Sequence, residues 1–404
     1  MAADGTVAAE VVVVGGGPAG LTAAIAFAEG GIETALVTGR AREPDNRTTA
    51  LLAGSVTALE VLRVWESCRS QAAPLRVMRL VDDTRRLLRA PEVRFEASEM
   101  GLDAFGHNIE NNHLVAALTA RAHELPALSV IADDAVSVST GESQVMVALA
   151  GGGHVEARLA IGAEGRRSLC RAAVDIETDS WRYPQSALTV NLQHSRAHAD
   201  ISTEFHTEGG PFTLVPLPGR RSSLVFVMDP AQAQALGALS DADLAVEIER
   251  RSHSILGTIA LEPGRGLFPL AAETARSFGR RRVALVGEAA HVIPPIGAQG
   301  LNLALRDVAT IAELVVEARR NGEDAGSDTL TARYELMRRA DVSSRTLAVD
   351  LLNRSLLSDF LPLHGVRGLS FFLLQHIGPL RRALMREGVA PIASQPRLMR
   401  GEAL

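Results

Sequence analysis

Three stretches of this 404-residue chain predict a mixed α/β (α+β) fold. The first is "EVVVV" at 10–14 followed by Gly15-Gly-Gly17-Pro18-Ala19-Gly20. An apolar β-branched run reads as a buried parallel strand, and a glycine-rich turn into a small-residue helix makes a βαβ unit. The second is 186–230, where "EFHTEGGPFTLVPLPGRRSSLVFVMD" reads as strands joined by a Pro-Gly turn at 218–219. The third is "RRVALVG" at 281–287, which returns to a buried strand and leads into a long helix. Together they predict a discontinuous Rossmann-like nucleotide-binding domain (1–75, 101–174 and 276–340). A β-rich domain is inserted into it (76–100 and 175–275), and a helical C-terminal tail follows (341–404).

The remaining elements follow in order. The first helix runs to about Glu29, where Gly30-Gly31 stops it, and "ETALV" at 33–37 is the next strand. Apolar residues at helical spacing predict helices over 48–65 and 111–123, residues 127–150 alternate as short strands, and 155–165 is one strand running into a turn. A helix is expected at 241–253. Leu301, Leu305, Val308, Ile311 and Leu314 make one helical face ending at Asn321-Gly322. From 344 the tail is mainly helical and amphipathic, mixing apolar faces with arginines.

Composition excludes several chemistries. Net charge is −6, which argues against nucleic acid as a partner because phosphate binding needs a basic field. All 41 basic residues are arginine, so no Walker-A lysine, pyridoxal Schiff base or lysine-dependent flavin halogenase can be built. Cys68 and Cys170 form no CxxC, and the histidines show no metal-ligand spacing, so no metal site is expected. Residues 11–28 carry no charge, but Gly-Gly-Gly-Pro at their centre spoils a membrane span. No secretory signal is evident, and a cytoplasmic location is the expectation.

Gly15-x-Gly17-x-x-Gly20 is the first motif that carries chemistry. Its first glycine makes the tight turn, its second admits a pyrophosphate, and its third lets helix pack on strand, whose helix N-terminus then attracts the anion. Pro18 and Ala19 belong to the same turn. The acidic ribose ligand expected at the end of the second strand is replaced by Thr38, which can offer a weaker hydroxyl bond. The second motif is Gly162-Ala-Glu164-Gly165 with Ser168 and Arg171. The third is Gly287-Glu288-Ala-Ala-His291, then Pro294-Pro295 and Gly297-Ala-Gln299-Gly300-Leu301-Asn302.

These three motifs resemble the fingerprints of the group A flavoprotein monooxygenases, the para-hydroxybenzoate hydroxylase fold. The third is most similar to the ubiquinone-biosynthesis hydroxylases of the UbiH and UbiF type. "RTTALL" at 47–52 and "IGAQGLNLALRDV" at 296–308 are similar to that group as well. The resemblance spans nearly the whole chain. It departs at two positions, where the family aspartates stand here as Glu164 and Glu288.

The resemblance implies FAD as cofactor and NAD(P)H or another reductant as electron donor. It places the Pro294-Pro295 turn against the isoalloxazine ring. Gly297 and Gly300 then let backbone amides reach the flavin N1–C2=O edge, and the helix starting near Leu301 directs its positive end there. Gly165, Gly287, Glu288, Leu301 and Asn302 are implied cofactor contacts, with Glu288 reaching a ribityl or ribose hydroxyl. Glu164 is expected to serve its own turn more than the ligand. Arg47 reads either as the family arginine near the FAD pyrophosphate or ribose, or as a surface arginine. His291 reads either as an aid to proton handling or as a packed, hydrogen-bonded histidine. Asn111 and Asn112 stand where the family helix runs beside the flavin.

The implied reaction is aromatic hydroxylation through a flavin C4a-hydroperoxide, with O2 as co-substrate and a polyprenyl phenol of ubiquinone biosynthesis as substrate. The amphipathic tail suits peripheral contact with the inner face of a membrane or with a quinone-synthesis complex; a core-packed tail is the other reading. A hydroxylase of a small soluble phenol or secondary metabolite, a flavin reductase or epoxidase of prenyl chains, and a flavin-binding accessory subunit remain open. A plain NAD-dependent dehydrogenase would leave the second and third motifs unexplained.

Overall fold

The computed structural model describes residues 5–40, 46–84, 89–295, 297–357, 378, 381–382, 385 and 395–404. At its centre is a six-stranded sheet in the order Gly279–Arg280, Val283–Leu285, Leu159–Gly162, Val11–Val14, Thr34–Val37, Leu128–Ile131. All neighbours are parallel except the first pair. The five strands from Val283–Leu285 to Leu128–Ile131 come from four separate stretches of chain, 11–37, 128–131, 159–162 and 283–285, so the sheet is discontinuous along the chain. Val11, Val12 and Val13 are fully buried, the expected state of a strand covered on both faces.

Helix α1 (Pro18–Glu29) is the crossover from Val11–Val14 to Thr34–Val37. The next helices are α2 (Ala53–Val61), α3 (Trp65–Arg69), α4 (Asn111–His123) and α5 (Leu169–Ala173). A four-stranded sheet, whose inner strands are His154–Ala157 and Val145–Leu149, contributes Val145, Val147 and Val155 to the same core.

A nine-stranded sheet is built mainly of Val77–Asp82, Val93–Glu96 and the strands between Thr178 and Ala275. Its order runs His291–Val292, Gly266–Ala275, Thr178–His194, Arg221–Met228, Gly210–Leu217, Ile201–Thr207, Val77–Asp82, Val93–Glu96, with Ile259–Leu261 paired to Thr178–His194. Helices α6 (Pro230–Gly237) and α7 (Asp241–Arg251) cover one face, burying Phe205, Phe212, Leu224 and Phe226 in a second core. A three-stranded sheet, Thr48–Leu52, Gly106–Glu110 and Ala72–Pro74, sits against the other face through Thr48 and Asn108.

Helix α8 (Gln299–Asn321) ends at Gly322 in the left-handed conformation, as expected. Its burial is wider than one face: every residue from Asn302 to Ala312 is buried. Helix α9 (Asp328–Leu357) packs beside it.

Three expectations need correction. Residues 48–65 are not one helix: Thr48–Leu52 is a strand paired with Gly106–Glu110, and α2 and α3 follow. Short apolar runs do not distinguish strand from helix by periodicity, and here ladder partners decide. Residues 155–165 are not one strand. The chain breaks at Arg158, so that His154–Ala157 pairs in the small sheet and Leu159–Gly162 in the central one. The C-terminal helix starts at Asp328 rather than near 344, because buried arginines interrupt its apolar pattern. The apolar stretch 358–377 lies outside the described residues. Leu398 and Met399 return to the core beside Gly54 of α2.

Candidate active site

Strands Val11–Val14, Thr34–Val37 and Leu159–Gly162 are in register, so their C-terminal ends bring Gly15, Thr38 and Ala163 together. Ligands of parallel α/β sheets bind at that edge. Gly15 has φ +121°, and a Cβ there would collide with the Ala163 carbonyl. A Cβ on Gly20 would collide with the Gly15 carbonyl. These two glycines are required by the protein itself. A Cβ on Gly17 meets nothing within 4 Å. Gly17 is the N-cap of α1, whose first turn holds Pro18, Ala19 and no acidic side chain, and no side chain caps the helix. An uncapped helix N-terminus facing open space is a site for an anion.

Thr38 donates its hydroxyl to the Gly39 and Ile131 carbonyls at 3.0 and 3.2 Å. After the neighbouring strand Leu128–Ile131, Asp134 accepts from the Arg40 amide at 3.1 Å and Asp133 from the Gly151 amide at 2.7 Å, which closes the turns at that edge of the sheet.

The second and third motifs meet beside the first. A Cβ on Gly165 (φ +82°) would stand 4.0 Å from Glu288 Oε2, and Arg166 Nε lies 3.9 Å from that oxygen. The Glu288 side chain is 59% exposed, in the turn Gly287–Ala289. Gly287 (φ +58°) is wedged where a Cβ would press on Ala304 and reach Ala19. Glu164 turns away from the cleft. Its Oε1 accepts from Ser168 Oγ at 2.8 Å and from the Cys170 amide at 2.7 Å, fixing the start of α5.

Pro294 and Pro295 lead to Gly297 (φ +69°) and Ala298 (φ +55°), and α8 opens at Gln299 with no side-chain cap and no acid in its first turn. Gly300 has nothing within 4 Å of a Cβ. This is a second uncapped helix end on open space. Leu301 beside it is half-buried. Asn302 is 1% exposed and spends its amide inside the protein. Its Oδ1 accepts from the Leu52 amide and Ser55 Oγ at 2.8 and 2.7 Å, and its Nδ2 donates to the Ala50 and Ala298 carbonyls at 2.8 and 2.6 Å. Its side chain pins the loop to the strand Thr48–Leu52.

His291 is 3% exposed, with Nε2 2.6 Å from Asp307 Oδ2. Asp307 also accepts from the Gly287 amide at 3.0 Å and from Arg338 Nε at 2.7 Å. Burial alone would raise the Asp307 carboxyl, but the facing His291 and Arg338 charges outweigh it and hold it below its ordinary range. Arg338, Arg306 and Arg345 converge on Asp341 of α9, and Arg345 also donates to Gln299 Oε1 at 3.0 Å. A buried ionic lattice thus ties the glycine-proline loop to α9. Its acceptor Asp307 was visible in "ALRDV", but its partner Arg338 is 31 residues away and carries no local signal.

The open face of the nine-stranded sheet bounds the other side. Asn191 and Ser223 are register partners, buried against the three-stranded sheet: Asn191 Nδ2 donates to the Asn46 carbonyl and Thr48 Oγ1 to Ser223 Oγ. Ala187 and Val227 are buried under Tyr183 and Leu270, and Tyr183 donates to Asp350 of α9 at 2.9 Å. Between these rows lie Thr189, Val225, Thr213 and Glu204, in register across four strands and each half-buried. This row lies on the sheet face turned away from α6 and α7 and is the candidate floor of a substrate chamber. Helix α9 links that face to the loop held by Asn302, through Arg345 on Gln299 and Asp350 on Tyr183. Arg47 stands over Phe268, 5.3 Å from the ring centroid, beyond the Thr189 end of the row. Asn111 accepts from Thr49 Oγ1 at 2.6 Å and Asn112 donates to Asn46 at 3.3 Å, both on the protein side.

The two uncapped helix ends and the open space at Gly17 and Gly300 fit a dinucleotide laid from α1 to α8. A sequence profile described as the FAD binding domain matches residues 8–346. Ubiquinone hydroxylase UbiL of Rhodospirillum rubrum is 33% identical over 98% of this chain and 94% of its own length. The 3-demethoxyubiquinol 3-hydroxylase of Escherichia coli is 29% identical over 93% of this chain and 97% of its own. The crystal structure of p-nitrophenol 4-monooxygenase PnpA from Pseudomonas putida superposes with a TM-score of 0.78 at 17% identity, covering 95% of this chain and 97% of that one, which shows a shared fold. The chain belongs to the FAD binding domain family, among the relatives of the ubiquinone-biosynthesis hydroxylases, and is an FAD-dependent monooxygenase.

Proposed function

We propose that this chain hydroxylates the aromatic ring of a prenylated phenol in ubiquinone biosynthesis, with NAD(P)H as electron donor and O2 as co-substrate. The full-length similarity to a ubiquinone hydroxylase is the observation that carries the reading. FAD, when bound, supplies the acceptance of hydride and the activation of O2. Gly17 and the α1 N-terminus take its pyrophosphate, Glu288 and Thr38 its hydroxyls, and Arg47 its phosphate or ribose. The amides from Gly297 to Gly300, behind Pro294 and Pro295, take its ring edge. The protein's own work is to exclude water and orient the phenol over the chamber floor. His291, tied to Asp307, positions the loop. The row Thr189, Val225, Thr213, Glu204 holds no cation, which suits a neutral phenol better than a benzoate.

The test is product analysis by mass spectrometry in a bacterium lacking its own quinone-ring hydroxylases and supplied with this chain. Restored ubiquinone is expected, and the intermediate that disappears identifies the carbon. No restoration by yellow, FAD-loaded protein would favour a small soluble phenol as substrate or an accessory role.

Peripheral membrane contact belongs to the same reading. Among the described residues no helix is long and apolar enough to cross a membrane. Helix α9 leaves Leu336, Leu347 and Leu351 exposed at 79%, 57% and 58%, at helical spacing on one face. Such a stripe suits a protein that draws a lipid phenol from a bilayer. The protein is expected to float with phosphatidylglycerol vesicles, and a Leu336→Glu/Leu347→Glu double variant to remain in the soluble fraction. Equal behaviour of the two would contradict the contact.

A further inference from the structure

Of the four side chains on the chamber floor only Glu204 is charged. It lies at the opposite end of the row from Arg47 and Phe268, four strand spacings or about 19 Å away. Register fixes its direction: neighbouring Phe205 points into the core under α7, so Glu204 and His206 point to the chamber face. His206 is 3% exposed, whereas the Glu204 side chain keeps 18% of its surface. Two neighbours hold the carboxylate. His206 Nε2 lies 2.8 Å from Oε1, and Thr213 Oγ1 donates to Oε2 at 3.1 Å. Burial would raise its pKa, but the His206 bond and charge, with Thr213, outweigh that and keep it below the usual glutamate value. An ionised carboxylate only accepts hydrogen bonds, and each oxygen retains capacity for one more.

We propose that Glu204 receives the substrate's ring hydroxyl, so that a neutral phenol is bound through O–H donation to this carboxylate and a phenol bearing its own carboxylate is turned away. The inference rests on the hydroxylase reading and adds the selecting group to it. Hydrogen bonding to a carboxylate leaves more negative charge on the phenol oxygen, which enriches the ring carbons that an electrophilic oxygen attacks. It also anchors one point of the ring, and thereby sets which carbon faces the cofactor. The row's other members, two threonines and a valine, accommodate the ring without competing for that role.

The probes are 2-prenylphenol, its methyl ether and 4-hydroxybenzoate, titrated into oxidised FAD-loaded protein and followed by perturbation of the flavin absorbance. Turnover gives KM and kcat separately. A hydrogen bond to a charged acceptor predicts about tenfold or greater preference for the phenol over its ether. Glu204→Gln should reduce that preference to about twofold and bind 4-hydroxybenzoate about tenfold better, with FAD occupancy unchanged, since the amide carries no repelling charge. A merely structural glutamate would not produce the gain. Unchanged selectivity in Glu204→Gln overturns the proposal. If that variant fails to load FAD, Thr213→Val, which removes one brace, must shift the same ratio, and an unchanged ratio again overturns it. Wild-type protein that neither binds nor oxidises any phenol would instead overturn the hydroxylase reading itself.

Discussion

Gly15 and Gly20 have no room for a Cβ, while Gly17 and Gly300 open onto space. The contrast separates folding from binding one residue at a time. Gly15→Ala forces a methyl into the Ala163 carbonyl at a positive φ and should cost about 3 kcal/mol or abolish folding. Gly17→Ala and Gly300→Val should leave the unfolding free energy of the apoprotein, from urea titration, within about 0.5 kcal/mol of wild type. FAD affinity, read by flavin fluorescence, should fall at least about tenfold in both if, as proposed, the cofactor's phosphates and ring edge occupy the open space at these glycines. Full affinity in either would remove that glycine from the cofactor site. The steric roles of Gly15 and Gly20, a tight turn and close helix–strand packing, were readable from the motif between its strand and helix. The use of Asn302 was not: its position in the third motif suggested a ligand contact, and only the fold brings Leu52 and Ser55 to its amide.

At the level of elements, α8 and α9 are joined by buried charge rather than by apolar matching alone. Asp307 is 1% exposed and its partner Arg338 is 4% exposed. Removing one member of such a pair strands the other, so Asp307→Asn should cost about 3 kcal/mol and loosen the Gly287 turn with it. The same group sets a pH dependence. Asp307 and Asp341 are both held below the ordinary aspartate value: burial opposes this in each, but His291 and Arg338 outweigh it for Asp307, and Arg338 and Arg306 for Asp341. A depressed folded-state pKa contributes stability above the unfolded value, about 4, and loses it as pH falls through the folded values. Urea midpoints should therefore be level from pH 7 to 5 and drop below pH 4, and Asp341→Asn should flatten that drop. These contacts explain why the start of α9 was illegible. Its buried face mixes Arg338, Arg345, Thr331 and Thr346 with Leu330, Tyr334 and Val342, which dilutes the apolar period that marks a helix, and a strand such as Thr48–Leu52 is defined only by its partner Gly106–Glu110.

For the whole molecule, the candidate chamber draws on parts that are remote in sequence: the row from Thr189 to Glu204, α9, and the start of α8 that α9 holds through Gln299. The parallel sheet, its phosphate turn and the β-rich insertion were legible because period and punctuation are local. The floor was not, because strand register selects it; the only hint was a charged pair in "TEFHT", alternating with Phe205. FAD binds the folded protein alone, so saturating it at 100 Kd should stabilise the fold by about 2.7 kcal/mol and raise Tm accordingly. The most direct measurement of the account is turnover of FAD-loaded protein with NAD(P)H and a prenylated phenol under 18O2. The account predicts a ring-hydroxylated product carrying one 18O atom. Consumption of NAD(P)H that yields only hydrogen peroxide, or a product whose new oxygen comes from water, would contradict it.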